Sequence, residues 1–173
     1  MKWVNNKKDF FFTTGFTILC IVCFPANPLV LTGVIEVESY LPTNIIGGIV
    51  WAFGMVLVMA PIIMFPRHGG VPKGKPFVNT TRLVDTGIYS VVRHPQYLGG
   101  ILAVFITTLL WYPHWLFGVL GTIGAVVLYM GAREEDQRLI QQFGEDYQHY
   151  IQKVPGMNIL VGLIRLVHRS STK

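Results

Sequence analysis

Charge is what this chain has least of. Asp, Glu, Lys and Arg make up 13% of its 173 residues, where a soluble domain carries about 25%. Apolar residues make up 51%. The shortfall argues against a fold whose whole surface faces water: lipid must replace water over much of it. Cysteine is scarcer still. Cys20 and Cys23 are spaced C-x-x-C inside an apolar run, with no second Cys or His pair near in sequence. They read as two small hydrophobes in a helix, not as a metal or redox site, and no metal is expected. A cleavable leader is not expected either. The Lys-bearing start imitates one, but no small-residue cleavage site follows and further apolar runs come later.

The phosphate-binding loops are also missing. "GGVPKGKP", from Gly69, has the glycine and lysine spacing of a triphosphate loop, but Pro76 stands where the magnesium-binding Ser or Thr belongs. "GVLGTIG", with Gly118, Gly121 and Gly124, lies inside an apolar segment with no strand before it. Small residues at helical spacing let membrane helices approach closely, so packing is the better reading. The acceptor pattern at Asn79 falls in a loop assigned below to the cytoplasm, where it would be idle.

Four apolar runs are present, roughly Phe10 to Leu31, Thr43 to Phe65, Pro95 to Trp111 and Trp115 to Ala132. A span needs about 20 apolar residues, within a range of about 17–25. The first two runs qualify, although Pro25 and Pro28 interrupt the first. The last two are short and joined by Tyr112, Pro113 and His114, which predicts a helical hairpin. A fifth span arises if the first run breaks at its prolines or if "MNILVGLIRLVH" inserts. That C-terminal segment is too short to cross and reads as interfacial. The expected fold is therefore an all-α integral membrane protein of four to five transmembrane helices, one membrane domain over residues 1–173.

Net charge is +5, and its distribution sets the orientation. Lys2, Lys7 and Lys8 precede the first run. Arg67, Lys73, Lys75, Arg82 and Arg93 lie between the second and third, and Arg133, Arg138 and Lys153 follow the fourth. The other two connections hold no Lys or Arg. Lys and Arg stay in the cytoplasm, which puts both termini and the long 66–94 loop there. A basic balance in this pattern orients spans, and no nucleic-acid partner is expected. The segment from Arg133 to Gln152 predicts an amphipathic helix on the same side. Leu139, Ile140, Phe143, Tyr147 and Tyr150 form its apolar stripe.

The chemistry-bearing residues gather on that side too. In "SVVRHPQYLGG", Pro95 is suited to the first position of a helix. The free N–H groups after it form an anion site, with Arg93, His94 and Tyr97 beside it. "REEDQRL" leaves the fourth run at the same level. The hairpin returns Glu135 to the height of His94, while Glu134 and Glu135 alone would be a solvated helix face. Ionisable residues at a membrane interface are functional candidates. Donors facing carboxylates suit a zwitterionic amino-acid ligand that also carries a ribose.

Together, "LVDTGIYSVVRHPQYLGG" and "REEDQRLIQQFGEDYQHYIQKVP" resemble the isoprenylcysteine carboxyl methyltransferase family. The resemblance covers roughly Thr81 to Pro155, through G-x-Y, R-H-P-x-Y, E-E-x-x-L and F-G-x-x-Y-x-x-Y elements in order. The motifs are shared by a broad superfamily that includes phospholipid methyltransferases and relatives of sterol reductases. Residues 1–65 carry no matching motif, so residues 66–173 form the expected catalytic core.

The resemblance implies an S-adenosylmethionine cofactor on the cytoplasmic side. It implies that Tyr89, His94, Pro95, Gln96 and Tyr97 contact that cofactor, that Leu83 and Val84 enclose it, and that Glu135 holds its amino or ribose groups. Arg133 is the implied partner of a substrate carboxylate, with Arg93 in reserve. The implied reaction is methylation of the carboxylate of an isoprenylcysteine or similar lipid-tailed acceptor entering from the bilayer. No obligate protein partner is evident. The alternatives are a phospholipid amine N-methyltransferase, an NADPH-dependent membrane reductase and a non-catalytic membrane scaffold.

Overall fold

The computed structural model describes residues 27–75 and 80–171. Most of the first apolar run, with Lys2, Lys7, Lys8, Cys20, Cys23 and Pro25, lies outside the described residues, as do Pro76 and Asn79. The described residues are helical and contain no strand. Helix α1 is the short Pro28–Leu31 turn, started by the Asn27 side chain, which accepts from the Leu29 N–H at 2.9 Å. Helix α2 is Leu41–His68, α3 is Pro95–Trp111, α4 is Trp115–Phe143, α5 is Glu145–Lys153 and α6 is Ile159–Ser171. A 3₁₀ turn covers Gly87–Ser90.

Among the described residues, α2 and α4 are long and apolar enough to cross a bilayer. Only 17% and 22% of their most apolar windows are buried inside the protein. Soluble core helices bury such surface, so this exposure fits lipid-facing spans. Helix α3 is shorter. Pro61 and Pro66 lie within α2 without ending it, a tolerance common in membrane helices.

The chain divides into two compact units. One takes in the described residues up to Phe53 and Ile101–Val127; the other is Gly54–Gly100 with Leu128–Lys173. In the first unit the Tyr112–His114 connection forms the expected turn, and His114 Nδ1 accepts from the Leu116 N–H at 3.3 Å at the start of α4. Trp111 donates its indole N–H to Asn44 O at 3.0 Å and lies over Gly47. Phe105 packs on Gly121 and Gly124, where added Cβ atoms would meet its ring. Those two glycines serve packing, while Gly118 is loose. Helix α3 widens to a π-helical turn at Ile101–Ile106. There Thr107 Oγ1 donates to the carbonyl of Leu102, five residues back, at 2.9 Å.

The second unit is built around Tyr147, Tyr150 and Val154, with Leu83, Leu139, Ile140, Phe143 and Ile151 packed against them. The amphipathic stripe expected on one helix from Arg133 to Gln152 is split between α4 and α5. Gly144, at φ +60°, breaks the helix, a backbone that costs glycine nothing and other residues more. At the end of α2, Gly69 O accepts the N–H groups of Thr81 and Arg82 at 2.8 and 3.0 Å. This returns the chain to the helix end and seats Leu83 and Val84. The apolar C-terminal segment forms α6, with Gly162 set directly on the Val91 carbonyl. Its Leu160, Leu163, Ile164 and Val167 are exposed.

Candidate functional site

All of the site lies in the second unit. The N–H groups of Arg93 and His94 donate to Pro155 O and Gly156 O, each at 3.0 Å. This pairing pins the two residues just ahead of Pro95, where α3 begins. His94 is 2% exposed. Its Nε2–H donates to Asp136 Oδ1 at 2.8 Å, and the Tyr147 hydroxyl donates to the same oxygen at 2.6 Å. Arg93 Nη2 stands 3.4 Å from Asp136 Oδ2. The carboxylate that meets His94 is therefore Asp136, not the Glu135 expected from the hairpin. Along α4 the inward phase runs through Ala132, Asp136, Leu139 and Phe143, so Glu134 is exposed. Nothing in a run of three acids separates them except that phase, which Ala132, Leu139 and Phe143 carry.

Glu135 lines a small chamber with Leu83, Val84, Tyr89, Arg93, His94 and Gln96. Seven of the residues singled out from the sequence thus surround one space. Pro95 and Tyr97 do not line it. Pro95 is buried at the helix start, and Tyr97 packs edge-on to the His94 ring at 5.7 Å. Arg133 is exposed and borders a second chamber of about 150 Å3, lined also by Arg93, His94, Tyr129, Ala132, Asp136, Gly156 and Met157.

The first chamber is notable for what is unpaired in it. Among the described residues, four buried side-chain polar atoms lack hydrogen-bond partners: Tyr89 Oη, Arg93 Nε, Arg93 Nη1 and Gln96 Oε1. All belong to residues lining this chamber. A buried polar atom left unpaired costs about 1–3 kcal/mol, and clusters of them mark places where a ligand supplies the partners. The chamber itself holds only about 40 Å3, against about 300–1,000 Å3 for ordinary ligand pockets. A polar cleft of about 540 Å3 adjoins it through Arg82, Leu83, Phe143 and Tyr150. Tyr89, Tyr147 and Tyr150 all have hydroxyl pKa values raised above the ordinary phenol value, chiefly by burial. For Tyr147 the hydrogen bond to Asp136 adds to this. They remain neutral donors at physiological pH.

A membrane-type helical chain with a polar, partly orphaned chamber beside its spans defines a class, and the comparisons name it. Residues 42–146 match the phospholipid methyltransferase family, and the chain belongs to that family. It is 30% identical over 128 residues to a methanethiol S-methyltransferase of Pseudomonas deceptionensis, covering 70% of this chain and 47% of that protein. It is 37% identical over 67 residues to methanethiol S-methyltransferase 1 of Bradyrhizobium diazoefficiens, 39% of this chain and 22% of that one. A methanethiol S-methyltransferase of a Pseudomonas species is 37% identical over 67 residues, 39% and 25% of the two chains. The chain spans about half the length of the first relative and about a quarter of the other two. No solved structure matches it. The family is the broad one to which the sequence motifs belong, and these relatives are thiol rather than isoprenylcysteine methyltransferases.

Proposed function

We propose that the protein is an S-adenosylmethionine-dependent methyltransferase acting at the membrane interface, with its site on the cytoplasmic side. The observation that carries the reading is the set of four unpaired buried polar atoms on Tyr89, Arg93 and Gln96. Their donor and acceptor mix fits the cofactor. Arg93 Nε and Nη1 are two separate charged donors that can each serve a carboxylate oxygen, the Gln96 carbonyl and Glu135 match an ammonium or hydroxyls, and Tyr89 Oη can do either. Leu83, Val84 and Phe65 supply apolar wall. The adjoining cleft provides the room that the small chamber lacks. The basic connections between the spans support the cytoplasmic placement.

When bound between residues such as Tyr89, Arg93, Gln96 and Glu135, S-adenosylmethionine would supply an electrophilic methyl group, its bonding pair being left on sulfur as the acceptor takes the carbon. A carboxylate acceptor arrives ionised and no proton has to move at the transfer step, whereas a thiol is mostly protonated at neutral pH and has to release its proton to solvent as it reacts. The side chains here orient the partners and exclude water. Arg133, at the edge of the second chamber, favours the ionised form of an acceptor.

A thiol acceptor is the first reading, supported by the relatives and by a second chamber of about 150 Å3, which limits the acceptor's reacting end to a small group. The second reading, an isoprenylcysteine or other lipid-tailed carboxylate, is favoured by the exposed Arg133 at the chamber edge. An amine acceptor finds less support, because Arg93 and Arg133 line that chamber and the Asp136 carboxylate is already paired.

Calorimetric titration of the detergent-purified protein with S-adenosylhomocysteine, alongside NADPH, tests the cofactor. Saturable binding of the first alone is expected; binding of NADPH alone would move the chain to the reductases. Methyl-labelled assays with methanethiol, N-acetyl-S-farnesylcysteine and phosphatidylethanolamine then separate the acceptors.

A further inference from the structure

Arg93 and His94 line both chambers. On one side of them stand Tyr89, Gln96 and Glu135; on the other stand Tyr129, Ala132 and Met157. Their N–H groups are pinned by Pro155 O and Gly156 O, and both side chains meet Asp136. We propose that Asp136 is a positioning residue that fixes the Arg93 and His94 side chains, which border both chambers, so that cofactor and acceptor meet beside them in line for transfer. The inference rests on the methyl-transfer reading above.

Asp136 is part of the second chamber's lining, but its oxygens are taken up by donors of the protein. Its Oδ1 receives His94 Nε2 at 2.8 Å and the Tyr147 hydroxyl at 2.6 Å, while its Oδ2 faces Arg93 Nη2 at 3.4 Å. Its side chain is 13% exposed, and a carboxylate so far out of water is costly unless paired. Three donors supply that pairing and occupy most of its acceptor sites. Asp136 does not line the small chamber, so it acts on a cofactor there only through Arg93 and His94. The Tyr147 bond matters because it ties the carboxylate to α5. With Oδ1 held from two directions, Asp136 cannot swing, and neither can the imidazole. Arg93, whose side chain is tethered through Nη2, keeps its Nε and Nη1 donors unpaired.

The test is a double-mutant cycle on Asp136→Asn and His94→Ala, read first as S-adenosylhomocysteine affinity by calorimetry and then as kcat and acceptor KM with methanethiol or N-acetyl-S-farnesylcysteine. Asp136→Asn alone is expected to weaken binding about tenfold or more and to lower kcat/KM about 100-fold, the scale of an ångström-level misplacement. Residues that act as one unit are non-additive, so adding it to His94→Ala should cost less than it costs in wild type, the remainder acting through Arg93. A merely structural role would reduce the active fraction while leaving Kd and KM of the remainder unchanged. It would also make the two losses multiply, and either result overturns the proposal. If Asp136→Asn does not fold, Tyr147→Phe, which keeps the charges and nearly the volume, takes its place. It should weaken binding in wild type and have a smaller effect in His94→Ala. If the wild-type chain binds no S-adenosylhomocysteine, the methyl-transfer reading falls and this inference with it. If wild type binds and the losses multiply, only this inference falls.

Discussion

The hydroxyl of Tyr150 donates to the backbone carbonyl of Tyr89 at 2.5 Å, in a buried bond that joins α5 to the 3₁₀ turn. The turn presents the Tyr89 phenol to the small chamber, so the bond links the packing of α5 to the geometry of the site. Tyr150→Phe removes the donor and strands a buried carbonyl. The expected cost is about 1–3 kcal/mol of stability, seen as a lower melting temperature in detergent. Weaker S-adenosylhomocysteine binding should accompany it. Unchanged binding in a destabilised variant would mean that the turn holds its shape without the bond.

The three buried phenols give the protein an alkaline limit. Burial raises the hydroxyl pKa of Tyr89, Tyr147 and Tyr150 in the folded state, with Asp136 adding to the effect at Tyr147. In the unfolded chain they titrate near 10. The folded state therefore holds its protons longer, and the unfolded state gains stability first as pH climbs past about 10. Melting temperature should be insensitive to these groups below that point and should fall steeply above it. Tyr147→Phe, which removes one of the three, should show a shallower fall between about pH 9.5 and 11. An identical slope in that variant would remove Tyr147 from the account.

Helix α6 is seated by one residue that has no room for a side chain. A Cβ on Gly162 would run into the carbonyl oxygen of Val91, and backbone cannot step aside as a flexible side chain can. Bonds from Arg165 to Gln152 O at 3.3 Å and from Arg169 to Ser90 O at 3.0 Å also fasten α6. Gly162→Ala should therefore lift the helix from the Val91 turn, at a cost of about 1–3 kcal/mol for forced overpacking. Limited proteolysis of the purified protein is the readout, with cleavage between Pro155 and Arg169 expected to accelerate in the variant. Equal cleavage rates would show that the two arginines suffice.

Much of this was legible in the sequence, for identifiable reasons. Pro95 and Trp115 start helices where the apolar runs start, because a proline and a Tyr-Pro-His turn punctuate the chain there. The end of α2 was less legible. Its prolines look like stops, yet an apolar helix with Pro61 and Pro66 inside it continues to His68. The break at Gly144 was hidden because helical spacing from Leu139 to Tyr150 runs through it unchanged. At the site, Tyr89, His94, Gln96, Leu83, Val84 and Glu135 were identified by motif and line one chamber. Asp136 was passed over, since a run of three acids hides which one faces inward until the helix phase is known. Tyr97 also stands in the motif, and it packs against the His94 ring, outside the lining of the chamber.

Glu135 offers the sharpest remaining test of how the chamber is used. Its carboxylate lines the same space as Tyr89 and Gln96, with Arg138 Nη2 3.6 Å away on the solvent side. Arg138 is largely exposed, so that pair is weak, and the carboxylate remains able to accept from a ligand. If it accepts from the cofactor's ammonium, Glu135→Gln should weaken S-adenosylhomocysteine binding about tenfold to 100-fold, the range for a hydrogen bond to a charged group. Methylthioadenosine, which has the ribose but no ammonium, should then bind wild type and variant alike. If the carboxylate instead holds the ribose hydroxyls, both ligands should lose affinity together. Each ligand measured against both proteins by calorimetry distinguishes the two arrangements. No loss with either ligand would take Glu135 out of the cofactor site and leave its place in the chamber wall as a matter of packing.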